Sequence, residues 1–194
     1  MPDTIIDLIR HGEPIGGSRY RGHGIDDPLS ETGWTQMWNA VAADQPVPWT
    51  AVVTSPLARC RDFAARLAER HALPLAVHDG VREVGFGTWE GRTRAELKRD
   101  RPLEYSNFHS DPVRMRPVGA EPLEQFFGRV SAALDEIAMG YQGSQVLVVA
   151  HAGVLRVALA KVLDSPLATL YRIHVPFAGR LRLRHGETGV RIEF

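Results

Sequence analysis

Cysteine is almost missing from this chain of 194 residues: Cys60 stands alone. One thiol can build neither an intrachain disulfide nor a cysteine-based metal site, which fits a reducing cytoplasm. Lysine is nearly as scarce, occurring only at Lys98 and Lys161, so almost all positive charge is guanidinium. Arginine's planar fork suits phosphate oxygens, although genome composition produces the same bias. Net charge is absent too, with 23 Lys and Arg against 23 Asp and Glu. That balance argues against bulk nucleic-acid binding and leaves room for a local cationic pocket. No apolar run approaches the ~18 to 20 residues of a membrane span, and the acidic start MPDTIIDLIRHGE lacks the apolar core of a signal peptide. A nucleotide P-loop is lacking, Gly16-Gly17 being no substitute, and no G-x-S-x-G elbow occurs. Without repeats, linkers or low-complexity segments, residues 1–194 read as a single domain.

What the chain does contain is a set of short apolar runs that end in chemistry. Thr4 to Glu13, TIIDLIRHGE, reads as a buried strand delivering Arg10, His11 and Gly12 to its carboxyl end, where open α/β sheets carry their ligands. Two neighbouring cationic groups there suggest an anion site, though a strand can also simply end in Arg-His. Residues 14–28 form a polar, glycine-rich loop in which Ser18, Arg19, Arg21 and His23 are placed to point back at the strand end. A helix is expected over 29–44, with Ser30 as its cap and Trp34, Met37, Trp38 and Val41 on one face. A second strand over 49–54 runs into a helix capped by Ser55 or Thr54, with Pro56 in an early position. Arg59 near that amino end gains nothing from the helix dipole unless a dianion is held there.

Further along, Leu75 to Val77 reads as a brief strand. Glu83 and Glu90 sit among glycines, Glu83 being the better candidate for a partly desolvated acid and Glu90 a residue serving the loop. Thr93 and Glu96 have capping-box spacing. Residues 101–122 are the least regular stretch and suit a lid or specificity segment, part of an insertion over about 91–122. A helix is expected over 123–139, and the central strand 145–150 delivers His151 just before a helix over 154–163. Strands are expected at 170–175, 179–184 and 190–194. His71, His78, His109, His174 and His185 read as surface or locally bonded residues, and Cys60 as core packing.

Arg10, His11, Arg59, Glu83 and His151 together make two imidazoles, two guanidiniums and a carboxylate. In-line phosphoryl transfer uses such groups: a neutral imidazole to attack, cationic donors around the equatorial oxygens, and an acid for the leaving alkoxide. A metal site is not expected, because the arginines would oppose a cation and the acids lack ligand spacing.

In combination, Arg10-His11-Gly12-Glu13, Leu29-Ser30-Glu31-Thr32-Gly33, Ser55-Pro56-Leu57-Ala58-Arg59, Glu83 in REVGFGTWEG and His151-Ala152-Gly153 closely resemble the histidine phosphatase, or phosphoglycerate mutase-like, superfamily. The resemblance implies a three-layer α/β/α sandwich around a mostly parallel sheet. It implies His11 as a nucleophile that becomes phosphohistidine, Arg10, Arg59 and His151 as phosphate holders, and Glu83 as general acid and then base. No metal and no organic cofactor are implied. The expected partner is a small-molecule phosphate monoester in the cytoplasm, with no nucleic acid or membrane and with a homodimer left open. The short insertion resembles the phosphatase branches, and the runs around residues 16–37, 55–75, 82–91 and 173–179 are similar to phosphatases of α-ribazole 5'-phosphate in cobalamin nucleotide-loop assembly. A phosphoglycerate mutase, a broad sugar phosphate phosphatase and a phospho-ligand binding protein are the alternatives. Pro14 departs from the Thr or Ser of many members, and either Arg19 or Arg21 corresponds to a loop arginine of the family.

Overall fold

The structure, a computed structural model, describes residues 2–193. Among them lie strands β1 (Thr4–Arg10), β2 (Ala51–Thr54), β3 (Leu75–Val77), β4 (Gln145–Ala150), β5 (Arg180–Gly186) and β6 (Gly189–Glu193), in the order β3-β2-β4-β1-β5-β6. The first four pair in parallel, β5 is antiparallel to β1, and β6 is antiparallel to β5. The helices are α1 (Glu31–Ala42), α2 (Ala58–Arg70), α3 (Arg94–Asp100), α4 (Pro102–Ser110), α5 (Leu123–Gly140) and α6 (Ala152–Val162).

The central position of β4 follows from its sequence, because QVLVVA has an apolar side chain for both faces. Val146, Val148 and Ala150 enter a core with Phe126, Val130 and Leu134 of α5 and Val154 and Val157 of α6. Leu147 and Val149 enter a second core with Met37 and Val41 of α1 and Phe63 and Leu67 of α2. Burying each such side chain contributes about 1.5–3 kcal/mol. A strand apolar on both faces needs helices on both sides, and the three-layer α/β/α sandwich results.

Two local features fix the loops that carry the candidate site. A Cβ added to Gly12 would overlap the Gly33 carbonyl, and one added to Gly33 would overlap the Glu13 carbonyl. The chain leaving β1 therefore lies directly against the first turn of α1. Ser30 fastens the crossing: its Oγ accepts the Gly33 N–H at 3.0 Å, while its N–H and hydroxyl both donate to Glu13 O. In the middle of β1, buried Asp7 takes hydrogen bonds from Arg182, Gln145 and Trp49. Burial alone would raise its pKa, but those three donors outweigh it and hold the carboxyl below its ordinary value.

Several expectations need correction. The strand expected over 170–175 is a 3-10 turn over Leu167–Arg172 followed by an extended arch. Its carbonyls are satisfied by guanidiniums rather than a ladder, with Ile173 O accepting from Arg156 and Val175 O from Arg10. The stretch expected to be irregular contains α4, whose Pro102 starts the helix at its first position, where a missing N–H costs nothing. Neither Ser55 nor Thr54 caps α2. Its N-cap position is Leu57, and the Ala58 N–H is taken by Asp26 Oδ1 at 2.6 Å from the loop over 14–28. That helix end thus holds a carboxylate, not an open anion site. β2 begins at Ala51 rather than Trp49, α6 begins at Ala152, and the expected strand end at Phe194 lies outside the described residues.

Candidate active site

A cleft of about 510 Å³ opens at the carboxyl ends of the parallel strands. Arg10, His11, Arg19, Arg21, Arg59 and Glu83 all line it. The end of β1 and the residue after it supply the first two, α2 supplies Arg59, and the segment after the 3-10 turn Asp79–Val81 supplies Glu83. His151, at the end of β4, is fully buried directly behind His11, the two rings meeting edge to face with centroids 5.2 Å apart.

The chemistry of His11 is set by one bond. Its Nδ1 lies 2.7 Å from Gly12 O, and a carbonyl only accepts, so Nδ1 carries the proton. Burial, then the charges of Arg59 and Arg10, push its pKa well below the ordinary histidine value. The ring is therefore neutral at pH 7, with an unprotonated Nε2. His151 is pushed down for the same reasons, burial first and then the Arg59 charge. Its Nε2 is 2.7 Å from Ser55 Oγ, and Cys60 Sγ lies 3.6 Å from the same nitrogen. The Cys60 thiol itself is raised by burial and packs inside the core.

Arg59, only 1% exposed, is anchored by the loop over 14–28: it donates to Gly22 O at 2.7 Å and Ile25 O at 3.0 Å. Arg10 donates to Val175 O at 2.7 Å and lies 4.0 Å above the Phe177 ring. Burial, assisted by the charges of Arg156 and Arg59, lowers its pKa to about 10 despite an opposing pull from Glu83. The buried Nε of each arginine has no hydrogen-bond partner among the described residues. Buried donors left unpaired beside a cleft are costly, and an anion would satisfy them. Glu83 is oriented by the Val84 N–H at 3.0 Å and the Gly153 N–H at 3.3 Å. A Cβ at residue 153 would strike that carboxylate, so glycine is what lets α6 approach it.

The two loop arginines part ways. Arg21 is buried, pairs with Asp27 at 2.8 Å and donates to Ile15 O. Arg19 is exposed and, among the described residues, donates to Gly16 O. His23 does not line the cleft; its Nδ1 is 3.2 Å from the backbone O of Glu83 and 4.0 Å from Glu121. Glu90 does serve the loop, accepting the Phe86 N–H at 2.9 Å. Sequence reasoning missed several lining residues: Arg94, His109, Arg156, Tyr171 and His174. It also missed Asp26 under α2 and Ser55 against His151. The Asp26-Asp27 pair in a loop facing a helix start was a weak signal for the former. Among the described residues no cluster of three or more His, Cys, Asp or Glu is placed to hold a metal ion, and no helix is long and apolar enough to cross a membrane.

The model of the histidine phosphatase superfamily (branch 1) matches residues 6–194. The chain belongs to that superfamily. A bifunctional protein of Mycobacterium tuberculosis is 35% identical over 177 residues, which are 90% of this chain and 48% of that protein, so the chain spans about half the length of this relative. An adenosylcobalamin/alpha-ribazole phosphatase of Salmonella typhimurium is 28% identical over 170 residues, 87% of this chain and 84% of that one. Among solved structures, a mycobacterial glucosyl-3-phosphoglycerate phosphatase in complex with VO3 superposes with a TM-score of 0.83 at 27% identity, over 97% of this chain and 96% of that one.

Proposed function

We propose that the chain hydrolyses phosphate monoesters in two steps through a phosphohistidine at His11. The observation that carries this is the His11 ring, neutral among guanidiniums and with its proton on Nδ1, which leaves the Nε2 lone pair free beside unpaired anion donors. In the first step Nε2 attacks phosphorus as the ester P–O bond breaks. Arg10, Arg59 and His151 stabilise the charge on the transferring group, and Glu83 protonates the departing alkoxide. In the second step Glu83 takes a proton from water, whose oxygen attacks phosphorus. The N–P bond breaks, the imidazole is restored, and inorganic phosphate leaves. The scheme uses no metal and no cofactor. Residues 91–122 act as the lid or specificity segment of one domain, and the protein works in the cytoplasm.

Two readings of the ester are carried. α-Ribazole 5'-phosphate is supported by the similarity to the Salmonella relative and by the matching runs. A sugar phosphate or phosphoglycerate is the second, favoured by the many arginines around the cleft. A steady-state panel of α-ribazole 5'-phosphate, phosphosugars, 3-phosphoglycerate and an aryl phosphate separates them. The first reading fails if α-ribazole 5'-phosphate turns over no faster than the aryl ester. A mutase would instead return the phosphate to a second hydroxyl of product, and a binding protein would turn over none of the panel.

A further inference from the structure

Beyond the groups around His11, the cleft carries positive charge that no ion pair among the described residues neutralises. Six arginines line it, and Glu83 is the one carboxylate among the lining residues. Arg21 is balanced by Asp27. Arg156 is not: on α6, one turn after the Glu83 contact at Gly153, it is half-buried, its Nε donates to Ile173 O at 2.9 Å, and it forms no ion pair among the described residues. It lies near enough to Arg10 to repel it electrostatically, and its guanidinium is 5.7 Å from the Tyr171 ring. Tyr171 and His109 both line the cleft and both pack on the buried Phe108, and His109 feels the charge of Arg94. Arg94 reaches the neutral Tyr20 hydroxyl and forms no ion pair among the described residues.

Half-burying Arg156 within electrostatic reach of Arg10, with no carboxylate of its own, is unfavourable unless ligand supplies the counter-charge. A phosphate held at His11 would occupy Arg10 and Arg59 and still leave Arg156 and Arg94 unmatched. We infer that the cleft contains a second anion subsite anchored by Arg156, with the exposed Arg94 also on the cleft lining, and that the preferred substrate is a phosphate monoester whose leaving group bears a carboxylate or a second phosphate. This rests on the phosphatase reading and selects the second of its two ester readings, because α-ribazole 5'-phosphate has no other anionic group. Arg156 is a specificity residue in this scheme, distinct from the groups that touch the transferring phosphorus.

3-Phosphoglycerate and glycerol 3-phosphate differ in one carboxylate that replaces a hydroxymethyl group, so their kcat/KM ratio reads the subsite directly. Fructose 1,6-bisphosphate against fructose 6-phosphate reads the second-phosphate version. One charge-assisted hydrogen-bond set corresponds to roughly a ten- to hundredfold preference for the anionic member of the favoured pair. Arg156→Gln should erase that preference through KM and leave glycerol 3-phosphate turnover within about threefold, while Arg156→Lys restores part of it. Calorimetric titration of 3-phosphoglycerate and glycerol 3-phosphate, and of the fructose pair, into His11→Ala gives the same comparison without turnover. Equal kcat/KM within both pairs, or equal affinity within both in the titration, overturns the subsite even if an aryl phosphate is hydrolysed well. Loss of aryl phosphate turnover as well would sink the phosphatase reading, whereas tighter binding of an anionic member would still uphold the subsite.

Discussion

The inner and outer ends of the cleft are built by different means. At the inner end four of the candidate groups are fixed by backbone and the fifth by a buried hydroxyl: Gly12 O sets the His11 proton, Gly22 O and Ile25 O hold Arg59, Val175 O holds Arg10, two N–H groups hold Glu83, and Ser55 Oγ meets His151. At the outer end the side chains are looser. Arg19, Arg94, His109 and His174 are exposed and come from four separate segments. The inner end has the preorganised groups that electrostatic catalysis of the proposed reaction requires. The outer end can be altered without disturbing that reaction, which is how one fold serves different esters. Substitutions should therefore separate into those that abolish chemistry and those that change only the choice of substrate.

The largest effect is expected at His11. His11→Ala should lower kcat by roughly 10⁴-fold or more, with inorganic phosphate still bound by Arg10 and Arg59. Residual activity near that of the unaltered protein in a steady-state assay would make the inner end something other than a nucleophilic site. Glu83→Gln comes next. Proton donation matters most for a basic leaving group, so alkyl phosphates should lose about 10²- to 10³-fold and an aryl phosphate less than about tenfold. Equal losses on both would reduce Glu83 to a positioning residue.

The buried neutral state of the inner histidines also shows in stability. The folded-state pKa of both His11 and His151 lies below the unfolded value, so the unfolded chain binds more protons as pH falls through about 6.5. Their contribution is fully present above that pH and is lost below it, at up to about 1.4 kcal/mol per pH unit for each ring. Urea midpoints should therefore drop between pH 7.5 and 5.5, and His11→Asn should flatten the drop. A midpoint independent of pH across this window would mean that the rings accept protons in the folded state.

The loop over 14–28 spans both ends and gives the smallest contrast. Arg21→Ala strands Asp27 and loosens the loop that anchors Arg59, so about a tenfold loss in kcat/KM is expected. Arg19→Ala, at an exposed side chain, should stay within about threefold on a simple aryl phosphate. Kinetics of the two variants side by side would reverse this division if Arg19 proved the more damaging.

The inner end was readable in the sequence because its determinants are local. A run such as TIIDLIR or QVLVVA announces a buried strand, and the next residue is the one delivered to the sheet edge. The pairing of Arg10 with His11, Arg59 after β2 and His151 after β4 follows directly. The outer end was not readable, because Arg94, His109, Tyr171 and His174 meet only through the packing of α3, α4 and the arch over 173–178. Alternation in LYRIHV imitates a strand, yet Arg10 and Arg156 take the carbonyls that a neighbouring strand would need. Asp26 was hidden for a similar reason: a loop carboxylate under a distant helix leaves no periodic trace. Prolines misled in the other direction, since Pro102 opens α4 rather than ending structure.

The central claim is that phosphate passes through His11 on its way to water. Hydrolysis of a monoester made chiral at phosphorus by its three oxygen isotopes tests this most directly, because each in-line displacement inverts the centre once. Two displacements through phosphohistidine predict inorganic phosphate with retained configuration. Inversion would mean that water attacks the ester in a single step, and the role given to His11 would be contradicted.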